Sequence, residues 1–490
     1  MKIYFTNSSN YGKLMMLIGI LLFIPVTTLP FYPEESKYAV AFIIPSIISI
    51  LLGILICRLI KQDDSTNHWQ RVMQKGSLTV LFAWGFGFLA GAIPFIISGQ
   101  LSFIQALFEA VSGWTTTGLS VMDVTVTPHI FLFHRSFMQF CGGLGFVLVM
   151  IMFVQGKQSM NLYNAEGHPD KLMPNLKKTV WTIFLMYVTL LFAGSFLYIL
   201  LGMSPFDSLM HAMSALSTGG FSTMTDSIGA YHNIAIEALT ILLMLIGTTN
   251  FAVLLLFLKR KFKQAQKVSE IRFLMILLIV CVPILALTLF YGLYLTVGES
   301  FRISLFNVVS ALSTSGFSTT VYTNWPDFAI GILIILMLIG GGIGSTAGGI
   351  KLSRIYIMVR LTLDNIRKRL KPEHHVETLY YYKAQGKTSI DRTLSTDVTG
   401  FIACYLIIFA IGSLLLTVTE NCSLKDAMFE FASSLGTVGL SVGLTGPATG
   451  AATLIIEIIG MILGRLEIFI VLIGIYSGVL MLKEKKPRKL

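Results

Sequence analysis

Four stretches of this chain share one polar frame, S-x-x-x-T-x-G-[L/F]-S: Ser112–Ser120, Ser214–Ser222, Ser310–Ser318 and Ser433–Ser441. Successive copies lie roughly one hundred residues apart in a chain of 490. The chemistry such a repeat can do is cation binding by backbone. A cation stripped of its water needs replacement oxygens, and rings of carbonyls from several loops supply them. Gly118, Gly220, Gly316 and Gly439 allow the dihedrals that turn carbonyls toward one axis, and they let four backbones approach closely. Thr116, Thr218, Thr314 and Thr437 stand two residues before each glycine and add small hydroxyls. Four copies in one chain make a pseudo-fourfold ring without oligomerisation. Small-residue packing between helices would explain a glycine. It would not explain the same polar frame four times.

Two further features invite a functional reading. Gly340–Gly349, G-G-G-I-G-S-T-A-G-G, holds six glycines in ten residues within an apolar run. In a helix these would cost about 5–6 kcal/mol relative to alanine, so the helix is expected to break there. Broken backbone at membrane depth must line a cavity or be buried in protein. A phosphate-binding loop would need G-K-[ST], but Ile350 separates Gly349 from Lys351 and Leu352 follows. Arg465, in L-G-R-L-E-I-F, sits near the middle of another apolar run. A charge there costs at least ~2.5–3.5 kcal/mol and faces a partner or a water path. Beneath a ring of carbonyls it would be an electrostatic barrier to cations; the alternative is a structural ion pair. Glu467 would point away from it on a continuous helix. His211, where the first and fourth copies have Glu109 and Glu430, reads as a polar helix contact rather than a metal ligand.

The elements that must position these residues follow from composition. The chain is 54% hydrophobic and only 12% charged, where a soluble chain carries roughly a quarter charged residues. Many windows exceed the ~18–20 apolar residues that cross a bilayer. The fold class is therefore an all-α polytopic membrane protein; a β-barrel would show short alternating segments instead. Leu14–Leu29 and Tyr38–Ile60 form two N-terminal spans, and no small-residue cleavage site follows the first. Then a unit repeats four times: a span, a short amphipathic segment ending in the frame, and a second span. The segments are Leu78–Ile97, Phe103–Gly113 and Ile130–Val154; Val180–Leu201, Phe206–Ser217 and Ile234–Leu258; Phe273–Val297, Phe301–Ser313 and Phe328–Val359; Val398–Val418, Leu424–Leu435 and Leu454–Leu482. That makes about ten transmembrane helices and four re-entrant ones. The corresponding divisions are 1–76, 77–176, 177–269, 270–395 and 396–490.

Charge sets the expected orientation. Lys157, Lys171, Lys177 and Lys178, then Lys259 to Lys267, then Arg367 to Lys371, and the tail from Lys483 lie between repeats. The positive-inside rule puts these loops and both termini in the cytoplasm. This accounts for the net charge of +11 without nucleic acid. The frame-bearing loops are poor in bases and carry Asp123, Asp207, Asp226, Glu299, Glu420 and Asp426. An acidic mouth would enrich cations; outer loops also lack bases in general. The five cysteines are scattered with no metal spacing.

The four frames, the G-S-T-A-G-G-I-K stretch at Gly344–Lys351 and the G-R-L-E motif at Arg465 together resemble the Trk/Ktr/HKT superfamily of potassium transporters, over essentially the whole chain. The two extra N-terminal spans resemble its TrkH/TrkG branch. The resemblance implies a potassium filter whose carbonyls come from Thr116-Thr117, Thr218-Gly219, Thr314-Ser315 and Thr437-Val438, before the glycines Gly118, Gly220, Gly316 and Gly439. Glycine at all four positions favours potassium over sodium. It implies that Gly344, Ser345, Thr346, Ala347, Gly348, Gly349 and Lys351 form an intramembrane gate, with Arg465 beside it. Arg135, near the Gly142-Gly143 pair, reads as a tether for a pore loop; Phe140 stands where the family often has tryptophan. The resemblance further implies a homodimer in the bacterial inner membrane and a cytoplasmic nucleotide-binding ring of the TrkA type. The competing functions are a coupled solute carrier, which would show inverted repeats, and a membrane enzyme, for which no catalytic constellation stands out. Neither suits a fourfold frame.

Overall fold

The computed structural model describes residues 9–59, 69–145, 176–293, 295–370 and 378–484. The first repeat's second span beyond Gly145, the bases Lys61, Lys157, Lys171 and Lys371, and the tail from Lys485 lie outside the described residues. Among the described residues, six helical stretches are long and apolar enough to cross a bilayer: Asn10–Thr28, Pro33–Leu59, Ser77–Ile97, Lys178–Leu200, Ser269–Leu293 and Arg392–Glu420. Helices α1 (Asn10–Phe23) and α2 (Ala39–Leu59) form an N-terminal hairpin. It packs through small residues, and Ser46 Oγ donates to the Gly19 carbonyl at 2.7 Å. A side chain on Gly12 would meet the Gly53 carbonyl oxygen at 2.5 Å, so the glycines there serve close helix approach.

The first repeat is α3 (Trp69–Ile97), α4 (Phe103–Trp114) and α5 (His129–Leu144). The second is α6 (Leu176–Leu200), α7 (Pro205–Leu216), α8 (Ile234–Thr248) and α9 (Phe251–Leu258), followed by the single turn α10 (Phe262–Ala265). The third is α11 (Ser269–Leu293), α12 (Val297–Ser313), α13 (Asp327–Ile339) and α14 (Leu352–Arg369). A hairpin, β1 (Tyr380–Lys383) with β2 (Gly386–Ser389), leads to the fourth: α15 (Arg392–Glu420), α16 (Leu424–Gly436), α17 (Ala451–Arg465) and α18 (Ile468–Glu484).

The re-entrant helices α4, α7, α12 and α16 start alike. Ser102, Ser204, Thr296 and Ser423 are their N-caps, with Gln105, Asp207, Glu299 and Asp426 three residues on. The cap oxygens of Ser204, Thr296 and Ser423 accept from the backbone N–H at that position at 3.1, 3.3 and 3.2 Å. Each such cap stabilises its helix by about 1 kcal/mol. The four run for 12, 12, 17 and 13 residues. At 1.5 Å per residue even the longest falls short of the ~30 Å hydrocarbon core. The third begins at Val297, a turn earlier than the expected Phe301, because Thr296 and Glu299 form a capping box.

The second spans depart from expectation. A break was expected only at the glycine run of the third repeat, where α13 does end at Ile339. The spans expected to be continuous at Ile234–Leu258 and Leu454–Leu482 are also broken, turning through 111° between α8 and α9 and 104° between α17 and α18. Local chemistry explains the first: Asn250 caps α9, its Oδ1 accepting from Ala252 N–H at 2.7 Å. In the fourth repeat Glu467 adopts φ 59, which ends the helical path after Arg465. Glu467 therefore does not continue a helix away from Arg465, as its spacing had led one to expect. Its carboxylate accepts from Arg354 at 2.5 Å.

Candidate functional site

The four glycine frames meet in a closed cycle. A side chain on Gly118 would run into the Gly219 carbonyl oxygen, and one on Gly220 into that of Ser315. One on Gly316 would strike the Val438 oxygen, and one on Gly439 the Thr117 oxygen. Each glycine thus faces the carbonyl of the residue before the next repeat's glycine, and the fourth repeat returns to the first. Glycine is required at these points on two counts. There is no room for a Cβ, and φ is 95, 74, 76 and 101° at Gly118, Gly220, Gly316 and Gly439. Two residues earlier the threonines are also left-handed: Thr116, Thr218, Thr314 and Thr437 have φ 56, 52, 56 and 50°. Four non-glycine residues in this region, each costing of order 1–3 kcal/mol, mark a backbone shaped by its surroundings.

The first serine of the frame explains its spacing. The N–H groups of Thr117, Gly219, Ser315 and Val438 donate back to the carbonyls of Ser112, Ser214, Ser310 and Ser433 at 2.9, 2.8, 3.0 and 2.8 Å. With each N–H bound to its own helix, the carbonyl of the same residue is left facing the neighbouring repeat. The hydroxyls add a second tie. Ser112 Oγ accepts from Gly118 N–H at 3.0 Å and donates to the Leu119 carbonyl at 2.5 Å. Ser433 Oγ accepts from Gly439 N–H at 2.9 Å, and Ser310 Oγ donates to the Phe317 carbonyl at 2.6 Å. Helices α4, α7, α12 and α16 all end at this ring, so the negative ends of their dipoles converge on it.

A polar residue three before each frame serine braces the loop that leaves the ring. Glu109 accepts from Ser120 Oγ at 3.0 Å, and Glu430 from Ser441 Oγ at 2.6 Å. His211 shares a hydrogen bond of 3.0 Å with Ser222, its other ring nitrogen lying 2.8 Å from the Asp207 carbonyl. It is the polar helix contact expected, and no cluster of three metal-ligating side chains occurs among the described residues. In the third repeat the position is Asn307, which accepts from Tyr322 OH at 2.6 Å. Arg135 is the expected tether. Its guanidinium meets Glu109 at 2.5 Å, donates to Ser120 at 2.8 Å and stacks 4.1 Å over the Phe221 ring. Gln139 Nε2 donates to the Gly219 carbonyl, and its Oε1 accepts from Phe221 N–H at 3.1 Å.

The glycine-rich segment between α13 and α14 lies against the threonine side of the ring. Thr346 Oγ1 stands 3.1 Å from Thr218 Oγ1, and Gly348 N–H donates to Thr314 Oγ1 at 2.8 Å. A side chain on Gly348 would collide with Thr437 Oγ1. All four ring threonines are fully buried. The segment is also stitched to the break in the second repeat: Gly342 N–H reaches the Thr248 carbonyl at 3.1 Å, and Phe251 N–H that of Gly344 at 3.1 Å. Thr346 Oγ1 bonds the Gly247 carbonyl at 2.9 Å. Within it, Ser345 Oγ donates to the Gly342 carbonyl at 2.7 Å and Lys351 Nζ to the Ala347 carbonyl. Gly344, Gly349 and Lys351 have φ 69, 75 and 90°, so the turn is built on left-handed backbone.

Arg465 closes this layer. Its guanidinium donates to the Thr346 carbonyl at 2.5 Å and to the Gly142 carbonyl at 2.5 Å. It therefore joins the break of the fourth repeat to the glycine-rich segment of the third and to the end of α5 in the first. The structure brings together every residue singled out in the frames, the glycine-rich stretch and the arginine. Sequence reasoning had not singled out Asn307, Gln139 or Asn250. Asn307 was legible, since it holds the place of Glu109, His211 and Glu430 in the aligned frames. Gln139 carries no local signal.

Residues 46–477 match the model of the TrkH family, described as a cation transport protein. The chain is 31% identical over 481 residues to the Trk system potassium uptake protein TrkG of Escherichia coli, covering 95% of this chain and 96% of that one. It is 30% identical over 483 residues to TrkH of Vibrio parahaemolyticus, covering 94% and 96%. The crystal structure of the potassium transporter TrkH from Vibrio parahaemolyticus superposes with a TM-score of 0.81 at 27% identity, over 94% of this chain and 96% of that one. The chain belongs to the TrkH family of cation transport proteins.

Proposed function

We propose that this protein takes up potassium across the cell membrane through a channel-like fourfold filter. The observation that carries the reading is the closed cycle in which each frame glycine faces the next repeat's carbonyl. A dehydrated cation on the axis would take its oxygens from Thr116, Thr117, Thr218, Gly219, Thr314, Ser315, Thr437 and Val438. The four glycines Gly118, Gly220, Gly316 and Gly439 hold the loops close enough to do so. Relatives that carry the name potassium uptake protein support potassium as the ion. Ions would move down their electrochemical gradient, with ~2.3 kcal/mol per charge available from 100 mV of membrane potential.

Gly344, Ser345, Thr346, Ala347, Gly348, Gly349, Lys351 and Arg465 act as the gate. The segment rests against the ring threonines, and Arg465 pins it by the Thr346 carbonyl. Opening requires the segment to leave that position and the guanidinium charge to move aside. We assign the frames to the outer face and both termini to the cytoplasm of a bacterial inner membrane. The five divisions at 1–76, 77–176, 177–269, 270–395 and 396–490 are the N-terminal hairpin and four pore repeats. A TrkA-type nucleotide-binding ring docks on the basic cytoplasmic face, and the working unit is a homodimer with a pore in each protomer.

The test is rubidium uptake into proteoliposomes holding the purified protein, with sodium as competitor, for wild type and Gly316→Ser. Uptake that resists sodium in wild type and loses that resistance in the variant is expected. Uptake indifferent to the substitution overturns the filter assignment.

A further inference from the structure

Behind the fourth frame lie two fully buried glutamates, Glu430 on α16 and Glu457 on α17. Between them stands the hydroxyl of Thr445, 2.5 Å from Glu430 Oε1 and 2.9 Å from Glu457 Oε1. A threonine hydroxyl has one proton to donate. Two carboxylates cannot both receive it.

The two acids are solvated unequally. Glu430 also accepts from Ser441 Oγ at 2.6 Å, Val442 N–H at 3.1 Å and Thr445 N–H at 3.1 Å. Those donors can hold a negative charge out of water. Glu457 has only the shared hydroxyl, and its Oε2 has no partner among the described residues. A bare buried carboxylate is far costlier than a neutral acid. Among the described residues no cation forms an ion pair with either acid: Arg135 is paired with Glu109 on α4, and Lys425 on α16 with Asp327 at 2.9 Å. Glu420, at the end of α15, is itself acidic and is held by Thr453 Oγ1 at 2.6 Å.

The pseudo-symmetry sharpens the contrast. Glu457 stands six residues after Ala451, the start of α17, as Arg135 stands six after His129, the start of α5. In the first repeat that position supplies a guanidinium to the brace acid Glu109 at 2.5 Å. In the fourth it supplies a second acid to Glu430.

We infer that Glu457 is a protonated positioning residue for the fourth filter loop, donating to Thr445 Oγ1 so that Thr445 donates to the Glu430 carboxylate. The chain runs Glu457 O–H to Thr445 O–H to Glu430, with one proton per link. It fixes the direction of the Thr445 hydroxyl, and Glu430 in turn holds Ser441 and Val442 just beyond Gly439. The inference rests on the filter reading for its consequence, though not for the proton itself.

Infrared spectroscopy on the full-length protein in proteoliposomes tests the proton. Wild type at neutral pH should show the carbonyl stretch of a buried carboxylic acid, and Glu457→Gln should lack it. Rubidium uptake with sodium competition tests the positioning. The glutamine amide can still donate to Thr445, so Glu457→Gln should keep its discrimination within about twofold of wild type, whereas Glu457→Leu, which loses a hydrogen bond, should lose about fivefold. Persistence of the acid band in Glu457→Gln, or its absence from wild type, overturns the inference. Loss of discrimination in Glu457→Gln equal to that in Glu457→Leu also overturns it. If wild type itself fails to discriminate against sodium, the filter reading falls while the band assignment stands.

Discussion

Removing the Arg465 side chain is the perturbation whose size the structure sets most closely. The guanidinium makes two short hydrogen bonds, to the Thr346 carbonyl and the Gly142 carbonyl, both at 2.5 Å. Hydrogen bonds from a charged donor contribute about 1.5–3 kcal/mol each. Only the first of these reaches the glycine-rich segment, so Arg465→Ala withdraws roughly 1.5–3 kcal/mol from its docked position. At 1.4 kcal/mol per factor of ten, even the lower figure shifts the docked-to-released ratio about tenfold. A segment docked 99 times in 100 would then be released about one time in ten. The assay is rubidium flux into proteoliposomes of the protein alone, without a cytoplasmic partner. Arg465→Ala should raise unpartnered flux at least about tenfold, and Arg465→Lys should fall between, because an ammonium reaches one carbonyl more readily than two. Sodium competition should be unchanged, since the arginine lies on the threonine side of the ring, where it bonds the Thr346 and Gly142 carbonyls. Flux at or below the wild-type level in a monodisperse variant would refute this reasoning and make Arg465 a purely structural clamp.

Other expectations follow from single contacts. Ser433→Ala removes the acceptor of the Gly439 N–H and should cost about 1 kcal/mol of ring order, seen as greater sodium inhibition of rubidium uptake. Ser214→Ala, whose hydroxyl has no partner among the described residues, should change the same readout little. Glu109→Gln leaves Arg135 buried and unpaired and should destabilise the fold by about 3–5 kcal/mol, lowering the thermal unfolding temperature in detergent; the double variant with Arg135→Met should recover most of it. Asn250→Ala removes the cap that starts α9 and should cost about 1 kcal/mol, read as faster hydrogen exchange at Phe251–Val253.

Much of this arrangement was legible because it is periodic. The four frames announced four re-entrant loops, since the first serine, the threonine and the glycine sit where backbone geometry needs them. Their helices were visible as amphipathic runs, and the capped starts at Ser102, Ser204, Thr296 and Ser423 place them within a turn. What escaped was whatever breaks a helix without glycine. Asn250 stops an apolar run that reads as one span, because a single capping side chain outweighs the surrounding leucines. The bend after Arg465 is set by left-handed backbone at Glu467 and its bond to Arg354, a partner 113 residues away. Gln139 reaches the second frame across 80 residues. Contacts of that span have no local signature, and only the closed ring makes sense of them.

If the four frames form a filter, an ion sits on the axis they enclose. Anomalous diffraction from crystals soaked in rubidium tests it most directly. A filter ion would give a peak bounded by the carbonyls of Thr117, Gly219, Ser315 and Val438, reduced when potassium is added back and lost in Gly316→Ser. Rubidium bound only at the acidic mouth, with nothing between the four glycines, would contradict it.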